Sequence, residues 1–211
     1  MNGITNEMTK MMNKLFTTLL VLITVNVFGQ LRDSVYVKTD IFEVVYSEKL
    51  EQPKWLRYQS VNRPKNVDRT GLDFYTVKGV HTSDAADYKA NVYDKGHLAP
   101  AATFADSEEN MKATFSYLNC ALQHQDLNRG EWRLLEEQER VWDASEPLDI
   151  KVECVFGSNP QKLSTGATIP NGFRKHIHFK RSNKWQCYEF PNTTLTKRWN
   201  EYQIQCATTH R

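Results

Sequence analysis

Asp94-Lys95-Gly96-His97, followed by Asn119 and then by Asn128, Glu136 and Arg140, brings together the side chains needed to turn a water molecule against a phosphate ester. An imidazole with a near-neutral pKa is the natural base for such a water. Gly96 permits a close backbone approach or an unusual φ, and Asp94 can hold the local turn or orient the ring. Asn128 offers a carbonyl oxygen to a hard divalent cation. Magnesium keeps several of its waters, so a site with one direct protein ligand is workable when phosphate oxygens complete the shell. On a helix turning ~100° per residue, Asn128, Trp132, Glu136 and Arg140 share one broad face.

Each residue taken singly has a plainer reading. His97 alone reads as structural, Asn128 as a helix cap and Glu136–Arg140 as a surface pair at i, i+4. Their company carries the weight. His176 and His178 alternate on a strand with no third ligand at metal spacing, so they read as an ordinary strand face. Asn192-Thr193-Thr194 has the form of a glycosylation sequon. Trp55, Trp142, Trp185 and Trp199 can stack on bases, though packing is the plainer job for most of them.

The elements that must position these residues follow from apolar periodicity. Val35–Val37, Phe42–Tyr46 and Trp55–Tyr58 read as strands, and a β-prone run at Ala90-Asn91-Val92-Tyr93 leads into the Asp94 motif. A loop is expected over Pro64 to Gly71. Helices are expected from Glu108 to Tyr117 and from Leu127 or Asn128 to about Trp142. Three further strands are expected at Ile150–Phe156, Lys175–Phe179 and Trp185–Phe190, with turns at Gly157–Pro160 and Ser182–Lys184. Strands on either side of two helices, without long βαβ alternation, predict an α+β fold with a mixed or antiparallel sheet.

The chain has 211 residues and a formal net charge of +2, enough for one domain and too near neutrality for bulk charge to indicate a partner. Lys10 and Lys14 precede an apolar run from Leu15 to Phe28, followed by Gly29. That pattern predicts a signal peptide over residues 1–29, cleaved after Gly29, with Met11 or Met12 as an alternative start. The run is short of the ~20 apolar residues that span a bilayer, so no stable membrane insertion is expected after cleavage and the mature chain is expected to be secreted or periplasmic. Export permits disulfides among Cys120, Cys154, Cys187 and Cys206, whose wide spacing argues against a zinc knuckle. Cys154 and Cys187 lie in β-prone segments that adjacent strands could join; buried free thiols are the alternative.

The strings DKGHLAPAATF (94–104) and LNCALQHQDLNRGEWRLLEEQER (118–140) resemble the DNA/RNA non-specific endonuclease family, whose ββα-metal (His-Me finger) site carries a DRGH motif. The match runs through Asp94, Gly96, His97, Ala99, Pro100, Asn119, Asn128, Gly130, Trp132, Leu135, Glu136 and Arg140, and extends more loosely over the predicted domain, residues 30–211. The resemblance implies that His97 is the general base, that Asn128 binds Mg²⁺ directly and that Glu136 holds a metal-bound water. It further implies that Asn119 helps order the site and that Arg140 contacts phosphate. Water would attack in line, with the metal at the leaving 3′-oxygen, and leave 5′-phosphorylated ends.

Lys95 stands where the family usually has arginine; it keeps the charge and loses the planar fork, so transition-state stabilisation is expected to be weaker but present. Arg63 or Lys65 is expected to supply a further phosphate contact, with Lys65 favoured because Asn66 follows it. Leu118 and Leu122 replace a usual serine and proline, and the tail ends soon after Tyr202-Gln203-Ile204, so the family's last elements are expected to be trimmed. The expected activity is cleavage of DNA and RNA with Mg²⁺, or Mn²⁺ as the alternative ion; the competing reading is a non-catalytic nucleic-acid-binding module on the same scaffold. A zinc-dependent HNH-type site would need further histidines near Asn128, and none is suitably spaced. Oligomeric state is left open.

Overall fold

Phe42, Val44 and Tyr46 alternate with Glu43 and Val45, and this period of two builds β2 (Phe42–Ser47) into a sheet with one buried face. The structure, a computed structural model, describes residues 30–206; the predicted signal peptide lies outside the described residues. Seven strands form one sheet in the order β1 (Val35–Lys38), β2, β3 (Gln52–Ser60), β6 (Leu148–Val155), β7 (Gly172–Phe179), β8 (Lys184–Pro191) and β9 (Gln203–Ile204). Every pairing in it is antiparallel. The fold is therefore α+β, with the antiparallel alternative realised. No helix among the described residues is long and apolar enough to cross a membrane.

The inner face of the sheet carries Val44, Leu56, Tyr58, Ile150, Val152, Phe173, Ile177 and Phe190. A second layer covers it with Leu98, Phe104, Leu118, Ala121, Leu127, Trp132 and Leu135. Burial of one such large side chain stabilises by about 1.5–3 kcal/mol, so this seam fixes where the second layer sits. That layer consists of the hairpin β4 (Tyr93–His97) with β5 (Cys120–His124), helix α1 (Glu108–Thr114) and helix α2 (Arg133–Asp143).

Three sequence expectations shift. The strand anticipated at 90–93 lies instead at Tyr93–His97, so the whole Asp94–His97 motif is inside it. Ala90 takes a positive φ of 55°, and Asn91 bonds Asp87 and Lys89 carbonyls and the Tyr93 amide, which makes this stretch a turn. Helix α1 stops at Thr114 because Tyr75 draws the chain away: its N–H donates to Phe115 O and its carbonyl accepts from Tyr117 N. The helix anticipated from residue 127 is broken into a turn at Gln125–Leu127, a widened turn at Asn128–Trp132 and α2, with Gly130 off helical geometry at φ −100°, ψ −116°.

The cysteine expectation is corrected. Cys187 bonds Cys206, with Cα atoms 5.3 Å apart, and Cys120 and Cys154 are buried free thiols. Strand β7 separates β6 from β8, so Cys154 and Cys187 are not on neighbouring strands.

Candidate active site

The hairpin is held to the sheet by side chains rather than by strand pairing. Gln52 Oε1 accepts from Leu122 N at 2.9 Å. Asn192 Nδ2 donates to Leu122 O and Pro170 O, and its Oδ1 accepts from His124 N. The nitrogen that a glycan would occupy at this sequon is thus used inside the fold. Within the hairpin, Gly96 lies opposite Ala121, and a Cβ there would fall 2.4 Å from Gln123 Oε1. Close approach, not an unusual φ, is what this glycine provides.

Lys65, Lys95, His97, Asn128, Glu136 and Arg140 line one cleft of about 1270 Å³. Two predicted residues stand elsewhere. Arg63 lies against the Phe104 ring (4.8 Å) and 3.7 Å from Asp106, outside the cleft. Asn119 is fully buried; its Oδ1 accepts from Ala99 N at 2.7 Å and its Nδ2 donates to Ala99 O and Thr114 O. It braces the chain that leaves His97 and touches nothing in the cleft.

His97 is walled by Phe74 (ring centroids 4.9 Å) and Phe115 (5.1 Å, edge to face). Its Nε2 is enclosed with no hydrogen-bond partner, and the residue lines the cleft. Burial, reinforced by the nearby Arg69 guanidinium, pulls the imidazole down to about 4, so it is neutral at physiological pH and able to accept a proton.

Asp94 positions the amide. Asn128 Nδ2 donates to Asp94 Oδ2 at 2.9 Å, and Arg129 grips both oxygens of the same carboxylate at 2.8 and 2.6 Å. Burial alone would raise the Asp94 carboxyl, but Arg129 and Asn128 outweigh it and hold it below its ordinary value. With its nitrogen committed, Asn128 has its carbonyl oxygen left to offer. Burial pushes Glu136 up to about 7, against the pull of Lys175 and Arg140 and with Glu139 adding to it. Arg140 Nη1 is buried without a partner beside it, an N–H donor suited to an anion.

The four-residue face expected of a straight helix is split. Trp132 turns into the core under Lys175 Nζ, 4.2 Å from its ring, while Asn128, Glu136 and Arg140 reach the cleft. The widened turn between Asn128 and Trp132 accounts for this, since an extra residue per turn rotates what precedes it.

An amide oxygen and a carboxylate are hard donors. Among the described residues no group of three or more His, Cys, Asp or Glu forms a cation cage. A sparse oxygen set suits magnesium, which completes its shell with water and substrate oxygens, and the residues present fit that ion.

Lys95 Nζ is 3.0 Å from Asp73 Oδ1 and lies over the Phe74 and Tyr117 rings. Burial works against its charge, but Asp73 and Tyr117 together raise its pKa. Arg69, which no sequence pattern singled out, is exposed, lines the cleft and is close enough to depress His97. Its only sequence signal is its place in the polar loop already expected to carry Lys65.

The family model for DNA/RNA non-specific endonuclease matches residues 23–211. The chain belongs to that family. Endonuclease G, mitochondrial, is 37% identical in Bos taurus and 38% in Homo sapiens, in each case over 76 residues and 35% of this chain. Nuclease EXOG, mitochondrial, of Mus musculus is 29% identical over 119 residues, 50% of this chain. These matches span only 25%, 26% and 32% of the respective relatives. A chain in the crystal structure of the EndoG/EndoGI complex shares the fold at a TM-score of 0.70 and 22% identity, covering 84% of this chain and 82% of that one.

Proposed function

We propose that the protein is an exported, magnesium-dependent endonuclease that hydrolyses phosphodiesters of DNA and RNA with little sequence preference. The observation that carries this reading is that a neutral imidazole, a committed amide and a guanidinium with one buried, unpartnered N–H group share one cationic cleft. His97 Nδ1 takes the proton of the attacking water, with the other ring proton on Nε2 against the aromatic wall. Arg140 Nη1 donates to a non-bridging phosphate oxygen, and Lys95 and Arg69 add positive charge where the phosphorane becomes more anionic. Asn128 Oδ1 and Glu136 would hold the magnesium ion, directly or through water, which supplies Lewis-acid charge relief when bound. Asp94 and Asn119 position these groups without touching substrate.

Little sequence preference follows from a cleft whose polar groups suit phosphate rather than base edges. Incubating the purified protein with plasmid and with RNA, in Mg²⁺ and then in EDTA, tests the reading. Metal-dependent degradation of both is expected; a mobility shift without cleavage would establish a binding module instead. His97→Ala is expected to lower turnover by ~10²–10⁴-fold with folding intact, and undiminished turnover would remove His97 from the role of base.

A further inference from the structure

A second chemical cluster lies on the outer face of the sheet, away from the cleft. His176 on β7 is in register with Lys151 on β6 and Cys187 on β8. Its Nδ1 is 3.3 Å from Cys187 Sγ and its Nε2 3.4 Å from Glu153 Oε2. Glu153 is also held by Lys151 at 2.6 Å and by Arg174 at 3.8 Å. The hydrogen bond from His176, with Lys151 adding to it, keeps this carboxyl down at about 2, so it is a permanent anion behind the ring. An imidazole backed by a carboxylate and facing sulfur is an arrangement that stabilises a thiolate. Cys187 is fully buried, whereas its partner Cys206 is half-buried beside the edge strand β9.

The disulfide closes a strap that reaches the catalytic layer. Trp199 packs on Trp142 and Tyr188, and Tyr202 on Phe190. Trp199 N donates to Glu131 Oε2 at 2.7 Å, and Arg198 Nη1 lies 3.5 Å from Glu131 Oε1. Glu131 belongs to the same widened turn as Asn128.

We propose that Cys187–Cys206 is a thiol-exchange site, served by His176, through which small thiols of the glutathione class release the C-terminal strap from the turn that carries Asn128. An external thiolate attacks Cys206 Sγ, on the less buried residue of the pair; a mixed disulfide forms there and the S–S bond breaks. Cys187 leaves with the electron pair as a thiolate beside the His176 ring, whose Nδ1–H supplies its hydrogen bond and then its proton. A second external thiol resolves the mixed disulfide, so two external thiols become one disulfide and the protein gains two thiols. That this release bears on catalysis rests on the role proposed for Asn128; the exchange chemistry does not.

The test uses the full oxidised chain with reduced glutathione, without metal or nucleic acid. Released thiols are trapped by alkylation and counted by mass over time, and amide hydrogen exchange follows residues 128–132. Opening is expected under native conditions, and His176→Gln is expected to slow it about tenfold or more, because a leaving thiol of higher pKa departs more slowly. Cys206→Ser, and separately Glu131→Gln with the disulfide intact, are expected to raise exchange at 128–132 while the sheet stays protected. Equal opening rates with and without His176, a disulfide that yields only on denaturation, or global loss of protection on reduction would each overturn the proposal. So would protection at 128–132 that is indifferent to both Cys206→Ser and Glu131→Gln. None of these readouts depends on nuclease activity, so an inactive protein could still meet them and an active one could still fail them.

Discussion

At the scale of single residues, burial moves His97 and Glu136 in opposite directions over the same pH window. His97 falls to about 4 in the fold, so on acidification below its ordinary value the unfolded chain takes up a proton that the folded chain refuses. That contribution to stability is complete above pH 6.5 and is lost as pH falls through 4. Glu136 rises to about 7, so the folded chain keeps a proton that the unfolded chain releases above its ordinary value of 4.5. Its contribution is complete below pH 4.5 and is lost as pH rises through 7. Each shift corresponds to roughly 3 kcal/mol, and together they nearly cancel between pH 7 and 4.5. In metal-free protein, Glu136→Gln is therefore expected to lose stability steadily on acidification through this window, and His97→Gln to gain it. Urea unfolding at stepped pH reads both; two variants with the wild-type pH profile would show that neither group is shifted. Asp94→Ala is expected to raise the magnesium concentration needed for activity by ~10–100-fold, as loss of a partner that orients a metal ligand does, and a metal titration checks it. Asp94, His97, Asn128, Glu136 and Arg140, singled out by their company and by the resemblance rather than by any one of them, line one cleft. Arg69 was not legible, because an exposed arginine in a loop looks the same in sequence whether it faces the cleft or bulk water.

At the scale of elements, α2 is tied to the sheet by charge as well as by apolar packing. Lys175 Nζ on β7 is 2.7 Å from Glu139 Oε1, both side chains have no solvent exposure, and Tyr58 donates to the other Glu139 oxygen at 2.8 Å. In sequence these look like surface residues, one in a polar strand run and the other among the acids of a helix; only the fold shows that they meet at the layer boundary. Lys175→Met is expected to destabilise the protein by ~3–5 kcal/mol, since it strands a buried carboxylate. Adding Glu139→Leu should recover a large part of that loss. A double variant as unstable as Lys175→Met alone, measured by thermal or urea unfolding, would mean that packing rather than the unpaired charge dominates. Six of the seven strands of the large sheet were readable from β-branched or alternating runs, as Glu43 set between the buried Phe42 and Val44 illustrates, whereas β9, two exposed residues long, carried no such signal. Strand β5 escaped because both its faces are buried: Ala121 packs in the main core and Leu122 in a separate cluster with Ala167 and Ile169, so no alternation marks it.

At the scale of the whole molecule, a near-neutral chain lines its cleft with more cations than acids. Lys65, Arg69, Lys95, Arg129, Arg133 and Arg140 line the cleft against Asp68, Asp94, Glu136 and Glu137. Two of the six are already committed within the protein, Arg129 to Asp94 and Arg133 to Glu137. Lys95 is shared with Asp73, which is 84% exposed and free to swing away. The cations that remain are the ones expected to release counterions from a nucleic acid backbone, and each released ion contributes a fixed decrement to the slope of log affinity against log salt. With His97→Ala as a slowly cleaving background kept in EDTA, Arg69→Ala is expected to reduce the magnitude of that slope by about one on duplex DNA and by a similar amount on RNA. Arg63→Ala, outside the cleft, should leave the slope unchanged. Fluorescence anisotropy across a salt series separates the two variants. If Arg63 rather than Arg69 carries the decrement, the substrate path runs past Arg63 and Asp106, and the cleft around His97 is not where the backbone lies.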